Sequence, residues 1–360
     1  MKSPIRLPRL ALSMVLVGLW GAPVTAQEVL VLALGFPPDH LVTAHVHTWS
    51  QEVRAATDGR VEVLIPAHDF IKPTGRWAAV QAQVVDAAVV DMREKDTLAF
   101  SIAPLIVADV TAGARALWNV YQEAITPSAG EPDPWKGLEV LSLFYHSPGH
   151  LFTTGDAVPD SVESLAASPM WVAPEAERLW DSLAADGPGL DWADVTRGLQ
   201  SGQILGLVGA SASAVREAGA GRDADYRIVF DRYLTVSGAA LVINAQSWER
   251  LSKEDREAIK AISGVSLSQA IATASAQEDR DALDQLERAG MVQVTADPVF
   301  AETLAQTLGQ GTLLTRLRRQ IAREADAGVA AEVAPVLPES QGEIQDEPSD
   351  ELPEENEDQS

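Results

Sequence analysis

Histidine, serine and carboxylate groups are the side chains of this chain that could carry chemistry, and their spacing argues against catalysis. Of six histidines, His40, His45 and His47 lie closest together. His45 and His47 sit two apart on a predicted helix and so point to different sides, which does not make a metal pair. His68 stands beside Asp69 with no second close pair, so no zinc site is predicted. A carboxylate such as Asp91 remains open as a seat for a cation. Gly209-Ala210-Ser211-Ala212-Ser213 follows a strand but lacks the Gly-x-Ser-x-Gly pattern of a nucleophile elbow. Gly219-Ala220-Gly221 lacks the third glycine and the strand-to-helix setting of a dinucleotide loop. Both read as turns. With no cysteine, disulfides, thiolate nucleophiles and cysteine-held metals are also excluded. The chain therefore reads as a binding protein, with no catalytic residue, no metal and no cofactor.

The elements that would position a binding site follow a strand-helix rhythm. Val29 to Leu34 is a buried-strand run ending at Gly35-Phe36-Pro37-Pro38-Asp39-His40. Val42, Val46, Trp49, Val53 and Ala56 recur at helical spacing, and Val61, Val63 and Ile65 alternate as a strand. A second helix opens at Gly75-Arg76-Trp77, before the strand run Val84–Met92. This order predicts parallel, doubly wound α/β architecture, whose ligands bind at the carboxyl ends of strands. Here those ends are Phe36–His40 and Asp91–Arg93. Further strands are predicted at Leu138–Phe144, Leu151–Thr154, Met170–Ala173 and Ile204–Val208. Three short ones follow, at Tyr226–Phe230, Tyr233–Val236 and Ala239–Ile243. One long helical pattern runs from Lys253 to Ala289, on the order of 50 Å at full length, and a last helix from Pro298 to Ala327. Asn244 reads as an N-cap at the entry to the long helix. Trp49 and Trp118 read as core.

The ends and the charge bound the setting. Lys2, Arg6 and Arg9, an apolar run from Leu10 and then Val24-Thr25-Ala26 form a secretory signal pattern, with cleavage expected after Ala26. The run is shorter than the roughly 20 residues a spanning helix needs, which weighs against the alternative of an uncleaved anchor, and no later stretch is long and apolar enough to span a membrane. The net charge is −25. With the leader's three bases and the eleven acids from Glu332 onward set aside, the body is still −17. Such a surface repels phosphate backbones and anionic lipid, which excludes nucleic acid as a partner. The acidic tail, 332–360, has the composition of a disordered segment.

From Val29 to Leu308 the chain resembles the DctP-type solute receptors of tripartite ATP-independent periplasmic (TRAP) transporters. The resemblance is carried, in order, by FPPDH, EVRAATDGRVEVLIP, RWAAVQAQVVDAAVVDM, FSIAPLIVAD, GLEVLSLF, DVTRGLQSGQILG and YLTVSGAALVINAQSWERLSKEDREAI. It implies a two-domain periplasmic binding protein fold, type II-like, with a long bracing helix. Residues 27–146 with about 237–252 would form domain I and 147–236 domain II. Residues 253–331 would supply the brace and the C-terminal helices. The function implied is that of a periplasmic receptor which hands a small molecule to integral-membrane permease subunits without itself entering the membrane. A ligand-sensing regulator on the same scaffold is the alternative.

The resemblance also locates the site and shows where this chain departs from its pattern. The family's carboxylate-gripping arginine, in a Leu-x-Gly-x-Lys-x-Arg-x-Pro pattern, reads Trp171 here, and the second arginine position reads Gly149-His150. The stretch matching the polar Gly-x-x-Asp-Gly-Gln-x-Asn loop keeps its glycines, Gly202 and Gly206, and loses its polar groups, with Gly209 at the Asn position. Two readings of Trp171 stand: an indole platform for a neutral, aromatic or cationic ligand with His150 as polar contact, or a space-filling side chain. An ordinary organic acid is not the expected ligand. Arg76 opens a helix whose family equivalent faces the cleft, with Trp77 beside it, although a solvated arginine fits equally. Tyr233 and Thr235 fall on a crossing strand where the family places a ligand-facing residue. His40 and Asp91 complete the expected site from the carboxyl ends of domain I strands.

Overall fold

The first apolar run forms β1 (Glu28–Ala33), and the Val61/Val63 alternation forms β2 (Val61–Leu64), its parallel neighbour. Between them α1 (Leu41–Ala56) buries Val42, Val46, Trp49 and Val53, the stripe legible at helical spacing. After α2 (Arg76–Gln81), β3 (Ala87–Asp91) lies parallel to β1 on its other side. The computed structural model describes residues 27–68, 70–94, 110–124, 135–155, 158–183, 187–230 and 234–308. The leader, the acidic tail and Tyr233 lie outside these residues.

The remaining elements are α3 (Val110–Ala124), β4 (Leu138–Thr153), α4 (Val162–Ala166), β5 (Met170–Val172), α5 (Glu177–Ser182) and α6 (Val195–Ser201). They continue with β6 (Gly206–Ser211), α7 (Ala212–Glu217), β7 (Tyr226–Val229) and β8 (Thr235–Asn244). The last are α8 (Ala245–Arg250), α9 (Lys253–Ala261), α10 (Val265–Arg288), β9 (Val292–Thr295) and α11 (Pro298–Leu308). One sheet runs β2-β1-β3-β8-β4-β6-β5, with β7 pairing with β4 and with β9. Asn244 caps α8, its side chain accepting from the Gln246 and Ser247 amides.

Three expectations are corrected. The sheet is mixed, because β8 pairs antiparallel with both β3 and β4, and β4 antiparallel with β6. The two strands expected around Ser147-Pro148-Gly149 are one strand of 16 residues, and the last two of the three short strands merge into β8. Register shifts after Val140, His146 and His150 absorb the irregularity without ending β4. The long helix breaks at Gly264, whose φ of 61° and ψ of −131° suit glycine alone. The break is held from several sides. The Gly264 amide donates to the Leu141 carbonyl at 2.7 Å, and the Trp49 indole N–H donates to Ser263 Oγ at 3.0 Å. A Cβ on Gly264 would lie 3.0 Å from the Trp118 ring. The brace is therefore α10 alone, 24 residues and about 36 Å long.

Four apolar clusters fill two lobes. Trp77, Leu143 and Val242 belong to one cluster, and Trp49, Phe144 and Leu241 to a second, on opposite faces of the first lobe's sheet. Phe152, Leu207 and Leu286 belong to a third and Leu151, Met170 and Val208 to a fourth, in the second lobe. Among the described residues only β4 contributes to all four. α10 supplies Ile271 and Ala272 to the first lobe and Leu283 and Leu286 to the second, so it ties the two together.

Candidate ligand cleft

Strand alternation aims a set of polar side chains at one place where the lobes meet. Ala87 and Val89 of β3, Ala239 and Leu241 of β8, and Phe144 of β4 all pack into the α1-side cluster. Two residues further along each strand, the same face carries Asp91, Ser237 and His146. His146 and Ser237 are direct partners across the β4–β8 ladder. Over them comes the turn after β1. The Phe36 ring stacks on His40 at 4.6 Å and meets His146 edge-on at 5.1 Å, and His40 lies 5.6 Å from His146. His40 is the N-cap of α1, its Nδ1 accepting from the Val42 amide at 3.2 Å.

Both imidazoles are held neutral. His146 is buried, and its pKa falls to about 3 through desolvation first and the adjacent His40 second. Asp91 opposes that fall and Arg93 adds to it. Burial likewise lowers His40, against the pull of Asp39 and Glu217. The wall is thus three rings without charge.

Beside the rings, Arg93 folds back on Asp91, Nε reaching both carboxylate oxygens at 3.0 Å and Nη2 reaching Oδ2 at 2.5 Å. Arg93 Nη2 also lies 3.5 Å from Glu175 Oε1. Glu175 belongs to the second lobe, in the single 3₁₀ turn Pro174–Ala176 after β5, and the same oxygen accepts from Ser237 Oγ at 3.0 Å. An Asp91–Arg93–Glu175 chain therefore crosses from lobe to lobe above β8. Its charge sums to one negative.

The remaining expected residues divide between this place and the lobe interiors. Thr235 and Gly209 meet at the second-lobe end of β8, Thr235 Oγ1 donating to the Gly209 carbonyl at 3.4 Å. Gly149 is directly opposite Thr235, and a Cβ there would fall 2.1 Å from Thr235 Oγ1. His150, one residue on, points to the opposite face. Its Nε2 bonds both Asp279 oxygens on α10, at 2.9 and 3.0 Å, and its Nδ1 receives Arg227 at 3.3 Å. Trp171 is half-buried in the second lobe. Its N–H donates to the Leu190 carbonyl at 3.0 Å, and its ring tilts on Trp192 at 4.8 Å. Trp77 is core, 1% exposed and packed on Trp135. Arg76 is buried, not a solvated surface arginine, and its guanidinium occupies the space above Gly35 where any Cβ would collide. Gly35, at φ +77°, lets that guanidinium lie against the end of β1. Next to it an open cavity of about 850 Å³ is lined by Gly35, Phe36, Thr43, His47, Pro66 and Phe70, among others. Among the described residues no group of three histidine or carboxylate side chains is placed to hold a metal.

Sequence reasoning located the stretches Phe36–His40 and Asp91–Arg93 but did not single out His146, Ser237 or Glu175. Strand alternation from Phe144 and Ala239 could have found the first two. Nothing local marks Glu175, whose partners come from residues 82 and 62 positions away in the chain.

This architecture, with two lobes on crossing strands braced by one helix, is that of an extracytoplasmic solute-binding protein. The chain belongs to the DctP family, bacterial extracellular solute-binding protein family 7, whose model matches residues 33–310. It is 24% identical over 245 residues to the outer membrane transporter protein TsaT of Comamonas testosteroni, covering 65% of this chain and 69% of that one. Its fold matches a TRAP periplasmic solute-binding protein from Bordetella bronchiseptica with bound (R)- and (S)-mandelate. The TM-score is 0.66 at 23% identity, over 82% of this chain and 99% of that one. A TRAP solute-binding protein from Rhodoferax ferrireducens with copurified benzoate matches at a TM-score of 0.66 and 19% identity, covering 84% and 100%. No helix among the described residues is long and apolar enough to cross a membrane.

Proposed function

We propose that the chain is the periplasmic receptor of a TRAP-type transporter. It is exported with its leader cleaved after Ala26, closes its lobes around one small molecule, and passes that molecule to membrane permease subunits. The ligand carries a ring and is neutral or cationic. The observation that carries this reading is the cleft wall: three uncharged rings, Phe36, His40 and His146, beside a chain of charges that sums to one negative. Ring stacking is worth on the order of 1 kcal/mol per contact, and a cation over a desolvated ring about 2.

The relatives with mandelate and benzoate hold aromatic acids. A ring suits the wall described here, whereas the carboxylate does not. The positions where the family resemblance places arginines are filled by Trp171 and His150, tied to Leu190 and Asp279. A buried carboxylate without such a grip faces a desolvation cost of several kcal/mol. Thr235, Gly209 and Asp91 border the cleft as candidate contacts, Arg76 supports the Phe36 turn from behind, and Tyr233 is a further candidate.

Mass spectrometry of small molecules co-purifying from the native periplasm tests this directly. A neutral or cationic ring compound that rebinds in calorimetry is expected. A plain dicarboxylate bound at micromolar affinity, or no ligand of any class, would reject the reading.

A further inference from the structure

Asp91, which holds Arg93, pairs with Ala239 of β8, and Ser237 of β8 bonds Glu175, so the Arg93–Glu175 ion pair lies over β8 where the lobes meet. We infer that Glu175 is a built-in carboxylate that fills the cleft's anion seat ahead of any ligand, and so determines specificity by excluding monocarboxylic acids. The inference rests on the receptor reading and deepens it.

Three observations converge on it. The guanidinium of Arg93 is fixed from the first lobe by Asp91, which aims it across the gap and leaves little freedom to swing away. Glu175 comes from the second lobe, half-buried, and is oriented by the Ser237 hydroxyl rather than left to solvent. Arg93 therefore already serves two carboxylates. A third, brought by a ligand, would meet like charge at contact distance, a juxtaposition that discriminates strongly between partners. The same bond joins the lobes, so Glu175 does from within the chain what an acid ligand held by an arginine would do from outside it.

The test replaces the internal carboxylate and asks for an external one. Glu175→Gln keeps the shape and the bond from Ser237, and Glu175→Ala empties the space. Each is compared with the unsubstituted mature protein by calorimetry with benzoate and acetate, and with benzamide as the uncharged counterpart. Native circular dichroism and a single cooperative melting transition well above the assay temperature qualify each variant. Benzoate affinity is expected to rise at least tenfold in Glu175→Gln and more in Glu175→Ala. Benzamide should change by less than twofold, and the gain should vanish when Arg93→Gln is added. Benzoate binding within twofold of the parent in both variants, or a gain that survives Arg93→Gln, overturns the inference. A native ligand found by mass spectrometry with no gain in the variants rejects the inference alone. A gain in the variants with no native ligand rejects the receptor reading alone.

Discussion

His146 shows how one buried ring ties the cleft to pH. Its folded-state pKa of about 3 lies below the value near 6.5 expected in the unfolded chain. Between these limits the unfolded state binds the extra proton, so stability falls as pH drops from about 6.5 towards 3 and is unaffected above about 7. The effect is at most about 5 kcal/mol, less what Asp91 recovers by relaxing towards the charged ring. Urea midpoints measured from pH 7.5 to 4 should therefore decline less steeply in His146→Gln than in the parent, and equal slopes would disprove the assignment. At Trp171 the same scale separates two roles. The indole bond to Leu190 and the contact with Trp192 make Trp171→Ala a packing loss of about 2–4 kcal/mol. If the indole were instead an exposed ligand platform, stability would hold while affinity for a ring ligand fell roughly tenfold.

Between elements, the buried contact of β4 with α10 is the one to test. His150 and Asp279 are 4% and 5% exposed. Removing the carboxylate in Asp279→Ala leaves the His150 N–H and the nearby Arg227 charge without it, at a cost of about 3 kcal/mol. The double variant with His150→Phe should recover part of that loss, giving a coupling of at least about 1 kcal/mol in a double-mutant cycle. Simple additivity would show that the pair is incidental. What was legible in the sequence follows the range of the forces involved. The α1 stripe and the Asn244 cap are local patterns and were readable. The α9–α10 break was readable only in part, since Ser263-Gly264 carries the signal but its anchors, Trp49, Leu141 and Trp118, are distant in the chain. Ser147-Pro148-Gly149 looked like a strand end because proline and glycine normally interrupt pairing, yet register shifts carried β4 through. Arg93 and Glu175 became neighbours only through the approach of the two lobes, which no periodicity encodes.

At the scale of the molecule, the two lobes share their structural members. β4 runs through all four apolar clusters, β8 pairs with it over most of its length, and α10 anchors in both lobes. Neither lobe can lose its core while the other keeps intact strands, because unfolding the second lobe strips β4 and β8 at their far ends and loosens α10. Independent unfolding would also expose the buried His150–Asp279 pair, whose members are supplied by those shared elements. The expected behaviour is one cooperative transition despite the two-lobed shape. It can be measured by following urea unfolding through far-UV circular dichroism and tryptophan fluorescence, since Trp49 and Trp77 are buried in the first lobe and Trp180 in the second. The two probes should share a midpoint. The sharper test introduces Trp171→Ala, a lesion confined to the second lobe, into a protein whose remaining fluorescence is dominated by first-lobe tryptophans. The fluorescence midpoint should move as far as the circular dichroism midpoint, because a stability loss in one lobe is felt by the whole unit. A first-lobe signal that stays at the parent midpoint while circular dichroism splits into two steps would show that the lobes fold separately and that β4, β8 and α10 join them without coupling them.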